Sequence, residues 1–212
     1  MSRNNKSPFI VYQDFISPKL CDQIIDNYDI KVFNKDTDGT LIKHETYNDF
    51  GEDIIFNILK TKIKELENNF GFEYEGTERM IFQSLPMRNG NVSEEPGCQN
   101  SKYLRKKWIK IKNVDLTGIL WLNNYQGTPP FDEKSEVFGG KLEFPAYNFS
   151  LIPEKGTLVL FPAGPHFISL ISPILVGKLC QVRINITVKQ PYFYNPEDFD
   201  DRGWSHWFRE YV

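Results

Sequence analysis

The hydrophobic pattern near the end of the chain predicts an amphipathic β-strand. From Lys178 to Val188 apolar and polar residues alternate with a period of two. One face carries apolar side chains: Cys180, Val182, Ile184, Ile186 and Val188. The other carries polar ones: Gln181, Arg183, Asn185 and Thr187. Since alternate residues of a strand point to opposite faces, one face is expected to pack on a core. The other places a guanidinium and an amide in a polar interior, which in a small β-barrel is a natural ligand site.

Helical spacing of apolar residues appears twice, and both times in the first third of the chain. Ser17 followed by Pro18 is typical of a helix start, and that helix is expected to run to about Tyr28. A second helix is predicted from about Asp53 to Phe70, ending at Gly71. Residues 31–51 are polar and rich in turn formers, with no helix or strand predicted.

Short apolar stretches predict strands at residues 9–15, 79–85 and 115–122, before the closing β region of residues 138–188. Two helices followed by a run of short strands indicate an α+β fold that is mainly β, with a sandwich or barrel backed by helices. We expect one domain over residues 1–212: a strand and helices (1–75), a β core (76–189) and an aromatic C-terminal tail (190–212).

Composition narrows the class of protein. The 212-residue chain has a net charge of -3, which gives no general attraction to nucleic acid or anionic lipid. Its three cysteines are widely spaced, which suits free thiols in a reducing compartment. The N-terminus lacks the apolar core of a signal peptide, and no uninterrupted apolar run could cross a membrane. We therefore expect a cytoplasmic or otherwise intracellular protein, or one carried in a phage particle.

Three motifs resemble the prolyl-4-hydroxylase-like branch of the iron(II)/2-oxoglutarate dioxygenases, and their order is most similar to the divergent versions carried by phages. They are Leu-Thr-Gly-Ile-Leu-Trp-Leu-Asn (116–123), Gly-Gly-Lys-Leu-Glu-Phe (139–144) and Pro-Glu-Lys-Gly-Thr-Leu-Val-Leu-Phe-Pro (153–162). The resemblance implies a double-stranded β-helix, which is a jelly-roll, cupin-like barrel. It also implies iron(II) and 2-oxoglutarate as cofactors and hydroxylation as the reaction.

The iron ligands of this family are two histidines and a carboxylate, the first two supplied as His-x-Asp. This sequence has no His-x-Asp, and its histidines are His44, His166 and His206. Asn113-Val114-Asp115 stands at the nearest equivalent position. By the resemblance, Asp115 and His166 are the candidate metal ligands. The late histidine position of the family could instead fall at Ser169, and only one of these two side chains can face the barrel interior.

For 2-oxoglutarate the resemblance implies a basic anchor, either Arg183 or Lys178, and we favour Arg183 because its planar fork suits a carboxylate. Each candidate also has a structural interpretation. His166 is then a turn histidine, Asp115 a strand-start residue bonded to a neighbouring amide, and Arg183 a partner of Glu143 or Glu136. We expect His44 and His206 at the surface, although His44 could reach the barrel mouth.

The alternative function is a non-catalytic jelly-roll module for binding or assembly, such as a structural component of a phage virion. It is favoured by the missing His-x-Asp, and such a pseudoenzyme would need no cofactor. The eight aromatic residues after Gln190 are then a surface for a peptide or another subunit. Six basic residues between Lys102 and Lys112 could contact an acidic partner, but an edge strand protected by lysines is the favoured interpretation.

Overall fold

The structure, a computed structural model, describes residues 7–27, 33–35, 41–86, 97–105, 107–128 and 136–189. Its two α-helices in these ranges are α1 (Pro18–Asp26) and α2 (Asp49–Phe70). The strands of the first half are β1 (Ile10–Tyr12), β2 (Phe33–Lys35), β3 (Leu41–Thr46), β4 (Tyr74–Thr77), β5 (Ile81–Pro86), β6 (Ser101–Leu104) and β7 (Lys107–Lys110). Those of the second half are β8 (Leu116–Trp121), β9 (Asn124–Tyr125), β10 (Glu136–Gly139), β11 (Leu142–Phe144), β12 (Phe149–Leu151), β13 (Leu158–Pro162), β14 (Leu170–Ile171) and β15 (Ile174–Val188).

Both helices have the end signals that the sequence predicts. The Ser17 hydroxyl accepts a hydrogen bond from the Leu20 backbone N–H at 3.3 Å, and Pro18 occupies the first helical position. Helix α2 ends at Gly71, whose φ of 71° is in the left-handed region that glycine adopts without strain. The two helices therefore form where local sequence favours them.

The strands build one large curled sheet and a smaller one. Within the described residues the large sheet has the strand order β1-β13-β8-β15-β5-β3-β2, and β4 and β10 also pair with β15. The smaller sheet has the order β12-β11-β14, and β6 and β7 form a separate hairpin. Strand β15 pairs with β5 on one side and with β8 on the other, so it lies at the centre of the large sheet.

Two hydrophobic clusters lie on opposite faces of the large sheet. The first joins the helices to the sheet and contains the apolar face of β15 as predicted: Cys180, Val182, Ile184, Ile186 and Val188. The second contains Leu179 of β15 and side chains from both sheets, with Trp121, Leu142 and Phe144 among them. A layer of helices therefore covers one face of the large sheet, and the other face lines the barrel interior. This arrangement confirms the expected mainly-β architecture backed by helices.

The segment of residues 31–51 differs from the sequence prediction. It contains β2 and β3, and β3 pairs with β5 in the large sheet. Helix α2 also begins at Asp49 rather than at about Asp53, because Asn48 caps it by accepting a bond from the Gly51 N–H at 2.9 Å. The polar composition hid both features, since a strand near the edge of a sheet needs few apolar residues.

No α-helix in the described part of the chain is both long enough and apolar enough to cross a membrane. The aromatic residues after Gln190, and the contact surface predicted for them, lie outside the described residues. The basic run falls on β6 and β7, a two-stranded antiparallel hairpin in which Tyr103 faces Trp108.

Candidate ligand site inside the barrel

A small pocket opens on the barrel side of β15. Its polar lining comes from Cys98, Gln99, Ser169, Gln181 and Arg183. Its apolar lining comes from Ile119, Leu142, Phe161, Leu170 and Ile171. The cavity volume is about 90 Å³, and the pocket is partly open to solvent. An apolar cavity of about 150 Å³ holds benzene, so this smaller site suits a ligand smaller than benzene.

One wall of the pocket is fixed by backbone hydrogen bonds between two segments that are distant in sequence. Gly97 and Ser169 exchange two bonds, with N···O distances of 3.0 and 2.9 Å. The Gln99 N–H donates to the Ala163 carbonyl at 3.1 Å. These bonds hold Cys98 and Gln99 against the barrel.

Cys98 is a packed thiol rather than a reactive one. Its Sγ donates to the Ser101 carbonyl at 3.3 Å, and burial raises the pKa of Cys98 to about 12. Because the thiol stays protonated at neutral pH, the described lining contributes one cation, Arg183, and otherwise neutral groups. None of the described lining residues is aspartate or glutamate. The described part of the pocket therefore carries a single basic side chain.

The two predicted anchors lie on different faces of β15. Arg183 lines the pocket and is partly buried. Lys178 is not a lining residue, and in the strand alternation it shares the face of Cys180, which packs in the helix-side cluster. Its backbone carbonyl accepts a bond from Asn123 Nδ2 at 2.7 Å. Of the two, the geometry brings only Arg183 to the pocket.

The two candidates for the family's late histidine position, His166 and Ser169, also lie in different places relative to the pocket. Ser169 lines the pocket, whereas His166 does not. His166 lies in a short 3-10 turn, Pro165–Phe167, and is partly exposed. The side chain at the barrel interior is thus a serine hydroxyl, and the role of His166 as a metal ligand stays a prediction.

Asp115 is buried and is held by the end of β15. Its Oδ2 accepts a hydrogen bond from the Val188 N–H at 3.0 Å, and its Oδ1 lies 3.7 Å from Lys110 Nζ. Asn113 is exposed, and its side-chain oxygen accepts from the same Lys110 at 3.3 Å. These contacts match the structural interpretation of Asp115, a strand-start residue bonded to a neighbouring amide.

The described residues do not fit an iron(II) ion. Among them no group of three or more His, Cys, Asp or Glu side chains is arranged to hold a metal. The pocket lining offers neutral amides, a hydroxyl and a protonated thiol, which are poor partners for a metal that prefers imidazole and carboxylate. His44 belongs to β3, but its side chain is outside the described part, as is all of His206.

Comparison with known proteins identifies the fold. No protein-family model matches the sequence, and no curated protein matches it. The structure is similar to a viral collagen prolyl hydroxylase from Paramecium bursaria Chlorella virus-1 in its 2OG complex, with a TM-score of 0.58 and 14% identity over 86% of this chain and 97% of that one. It is similar to a Pseudomonas putida prolyl-4-hydroxylase, with a TM-score of 0.60 and 13% identity over 86% and 94%.

A Trichoplax adhaerens prolyl hydroxylase, solved with a hypoxia-inducible-factor peptide fragment, gives a TM-score of 0.57 and 13% identity over 86% and 84%. The chain therefore has the jelly-roll fold of these prolyl hydroxylases, which confirms the fold that the sequence resemblance implies. At this level of identity the likeness concerns the fold.

Sequence reasoning missed part of the pocket. Gln99 and Cys98 follow a loop, and only the tertiary pairing of Gly97 with Ser169 brings them to the barrel. Gln83 was also missed, although it is fully buried and bonds to Gln181. The available signal was the pair Gln83-Ser84 inside a strand, flanked by the apolar residues Phe82 and Leu85, where a glutamine must find a partner.

Proposed function

We propose that this protein binds a small carboxylate in the barrel pocket, with Arg183 as the anchor. The observation that carries the proposal is the described part of the lining, in which Arg183 is the one basic side chain and the other groups are neutral. A guanidinium presents several N–H donors in a planar fork that matches the two oxygens of a carboxylate. The partly enclosed, partly apolar wall strengthens such a contact because it reduces screening by water.

The test compares the two basic residues of β15. Arg183→Gln removes the charge from the pocket, and Lys178→Gln removes a charge from the same strand outside it. We expect acetate, titrated while backbone and side-chain amide NMR resonances are followed, to bind the wild type and Lys178→Gln equally. Arg183→Gln should lose at least tenfold in affinity. If Arg183→Gln and the wild type bound acetate with equal affinity, Arg183 would not be the anchor.

A second candidate is a 2-oxoglutarate-dependent hydroxylase, as the sequence resemblance implies. It is favoured by the fold likeness, which extends over 86% of this chain to prolyl hydroxylases. His166 and Asp115 would be its metal ligands and Arg183 its 2-oxoglutarate anchor. The donor chemistry of the described residues argues against this candidate.

An anaerobic spectrum separates the two candidates. The protein is mixed with iron(II) and 2-oxoglutarate, and the weak metal-to-ligand charge-transfer band of a ternary complex is sought. We expect no band, and no succinate on admission of air. A band that disappears in His166→Ala but persists in a surface variant such as Gln23→Met would replace the binding function with the hydroxylase. The assembly role in a phage particle, with the aromatic tail as the contact, stays a prediction.

A further inference from the structure

The β6–β7 hairpin is fixed to the barrel through its base and one of its faces. Asn100, just before β6, donates from Nδ2 to the Val114 carbonyl at 2.9 Å and accepts a bond from the Ser101 hydroxyl at 2.8 Å. Lys110 of β7 places its Nζ 3.7 Å from Oδ1 of the buried Asp115. Ser101 and Lys110 are paired in register, so their face of the hairpin is turned toward the barrel. The opposite face is therefore held in a fixed orientation.

This opposite face, called the outer face below, exposes large apolar side chains. Lys102 and Leu104 lie on it with Ile109, which is paired with Lys102, and Ile111 continues the alternation. The exposed fractions of Leu104, Ile109 and Ile111 are 48, 46 and 44%. Single exposed apolar residues are ordinary, but a group of them on one face is typical of an interaction site.

Exposed cations surround these apolar side chains. They are Lys102 on the outer face, Arg105 at the turn and Lys112 just after β7. None of the three pairs with an acid of the described residues, whereas Lys110 on the inner face lies beside Asp115. A segment that complements the outer face therefore needs acidic groups next to large apolar ones.

The chain itself has such a segment soon after its last described strand. Residues 192–201, called the tail segment below, read Tyr-Phe-Tyr-Asn-Pro-Glu-Asp-Phe-Asp-Asp. They include four aromatic residues and four acids, and no lysine or arginine. Both kinds of group that the outer face needs are thus present in ten consecutive residues.

The tail segment is also attached close to the hairpin. The Val188 N–H donates to Asp115 Oδ2 at 3.0 Å, and the other oxygen of the same carboxylate is the one near Lys110. One carboxylate thus separates the end of β15 from β7. Ten residues beyond Lys189 span up to about 33 Å, whereas a strand of four residues is about 13 Å long. The tail segment can therefore reach all of the outer face within one molecule.

We propose that the tail segment docks on the outer face of the hairpin in the same chain. Its acids lie against the three cations and its aromatic rings pack on the three apolar side chains. A short tether gives an effective concentration of about millimolar, so even a weak contact keeps the segment docked for most of the time. Exposed ion pairs are individually weak, so the apolar contact supplies the affinity and the charges orient it. This interaction is separate from the proposed carboxylate site and does not depend on it.

A photo-crosslinker in the full-length protein tests where the tail segment lies. Phe199 is replaced with p-benzoylphenylalanine, the protein is irradiated at low concentration, and the products are mapped by mass spectrometry. We expect cross-links to residues 102–112 in a product of monomer mass. The double variant Lys102→Glu with Lys112→Glu should lower their yield, because acids then face acids. Adding Glu197→Lys and Asp198→Lys to it should restore the yield.

Acetylation of lysines tests the same contact without a cross-linker. A docked acid shields a lysine and keeps it protonated, so Lys102 and Lys112 should react slowly with N-hydroxysuccinimidyl acetate. Four changes make a tail-neutral variant: Glu197→Gln, Asp198→Asn, Asp200→Asn and Asp201→Asn. In this variant both lysines should react roughly threefold faster or more, because the tail segment is no longer held. Lys19, exposed on α1, is the internal control and should react equally in the two proteins.

Three results would overturn the proposal, and none of them bears on the acetate titration. Cross-links that join two chains would assign the outer face to a second copy of the protein. The absence of cross-links to the hairpin, with equal acetylation of Lys102 in both proteins, would mean that the tail segment does not cover it. Equally tight binding of a thymidylate dodecamer or a phosphatidylserine vesicle by the wild type and the tail-neutral variant would show that the cations remain open to another anion.

Discussion

At the scale of single residues, Asp115 illustrates how a buried acid serves the fold. Its carboxylate holds the Val188 N–H at the end of the longest strand in the described residues. That contact lies where β8 begins, so it joins the ends of two central strands. Removing one partner of a buried hydrogen bond costs more than the bond contributes, because the other partner is left unsatisfied.

We therefore expect Asp115→Ala to lower the free energy of unfolding by about 1–3 kcal/mol. Asp115→Asn should cost less, since an amide oxygen can still accept from Val188 N–H. Urea unfolding followed by circular dichroism measures both. An unchanged stability of Asp115→Ala would contradict the structural role and return Asp115 to the candidate ligands.

The cysteines provide a prediction about pH. Burial raises the pKa of Cys21 to about 12, as it does for Cys98. An unfolded cysteine titrates near pH 8.5, so the native protein should show almost no thiolate at about pH 8. Iodoacetamide followed by mass spectrometry should leave both residues unmodified in the native state and modify them in urea.

The sign of the linked stability follows from the same pKa values. Because the folded pKa values are higher than the unfolded one, these thiols contribute their full stability below about pH 8.5. That contribution is lost progressively as the pH rises toward 12. Rapid native alkylation of Cys98 would show that the pocket wall opens.

At the scale of elements, one side chain connects the two helices. Asn48 Oδ1 caps α2, while its Nδ2 donates to the Asn27 carbonyl at 3.3 Å and approaches the Ile24 carbonyl at 3.5 Å. The start of α2 is thus bonded to the end of α1. The amide is used twice, as acceptor for one helix and as donor for the other.

Two substitutions separate these uses. Asn48→Ala should destabilise the protein by about 1–2 kcal/mol, because it removes the cap and the contacts to α1. Asn48→Asp keeps a good capping oxygen but has no donor for α1, so we expect an intermediate loss. Thermal unfolding measures the series. If Asn48→Asp were as damaging as Asn48→Ala, the cap would contribute nothing.

Elements defined by local signals could be predicted from the sequence, and those defined by pairing could not. Ser17 and Gly71 mark helix ends through their own backbone preferences. The alternation of apolar and polar residues that predicts β15 is likewise visible in that segment alone. Strands β2 and β3 are polar, and the sheet that contains them decides their conformation. The same distinction applies to the pocket residues. The place of Arg183 could be predicted from the alternation of polar and apolar residues in its strand, whereas that of Gln99 depends on a contact with a distant segment.

At the scale of the whole molecule, a ligand that binds only the folded state raises its stability by mass action. At ten times the dissociation constant this gain is about 1.4 kcal/mol, which corresponds to roughly 3–6 °C in Tm for a chain of this size. We expect this shift from acetate, with sodium chloride at equal ionic strength as the control. Arg183→Gln should show no shift, and a shift of equal size in that variant would place the binding elsewhere.

The bond between Gln83 and Gln181 has a consequence for how the barrel interior can change during evolution. Gln83 Nε2 donates to Glu45 Oε1 at 2.7 Å, and Gln181 Nε2 donates to Gln83 Oε1 at 2.9 Å. Because an ionised carboxylate only accepts hydrogen bonds, Glu45 fixes the direction in which both amides point. A single codon on β3, two strands away from β15, could therefore let both amides turn over and reverse the polarity of the interior at Gln181.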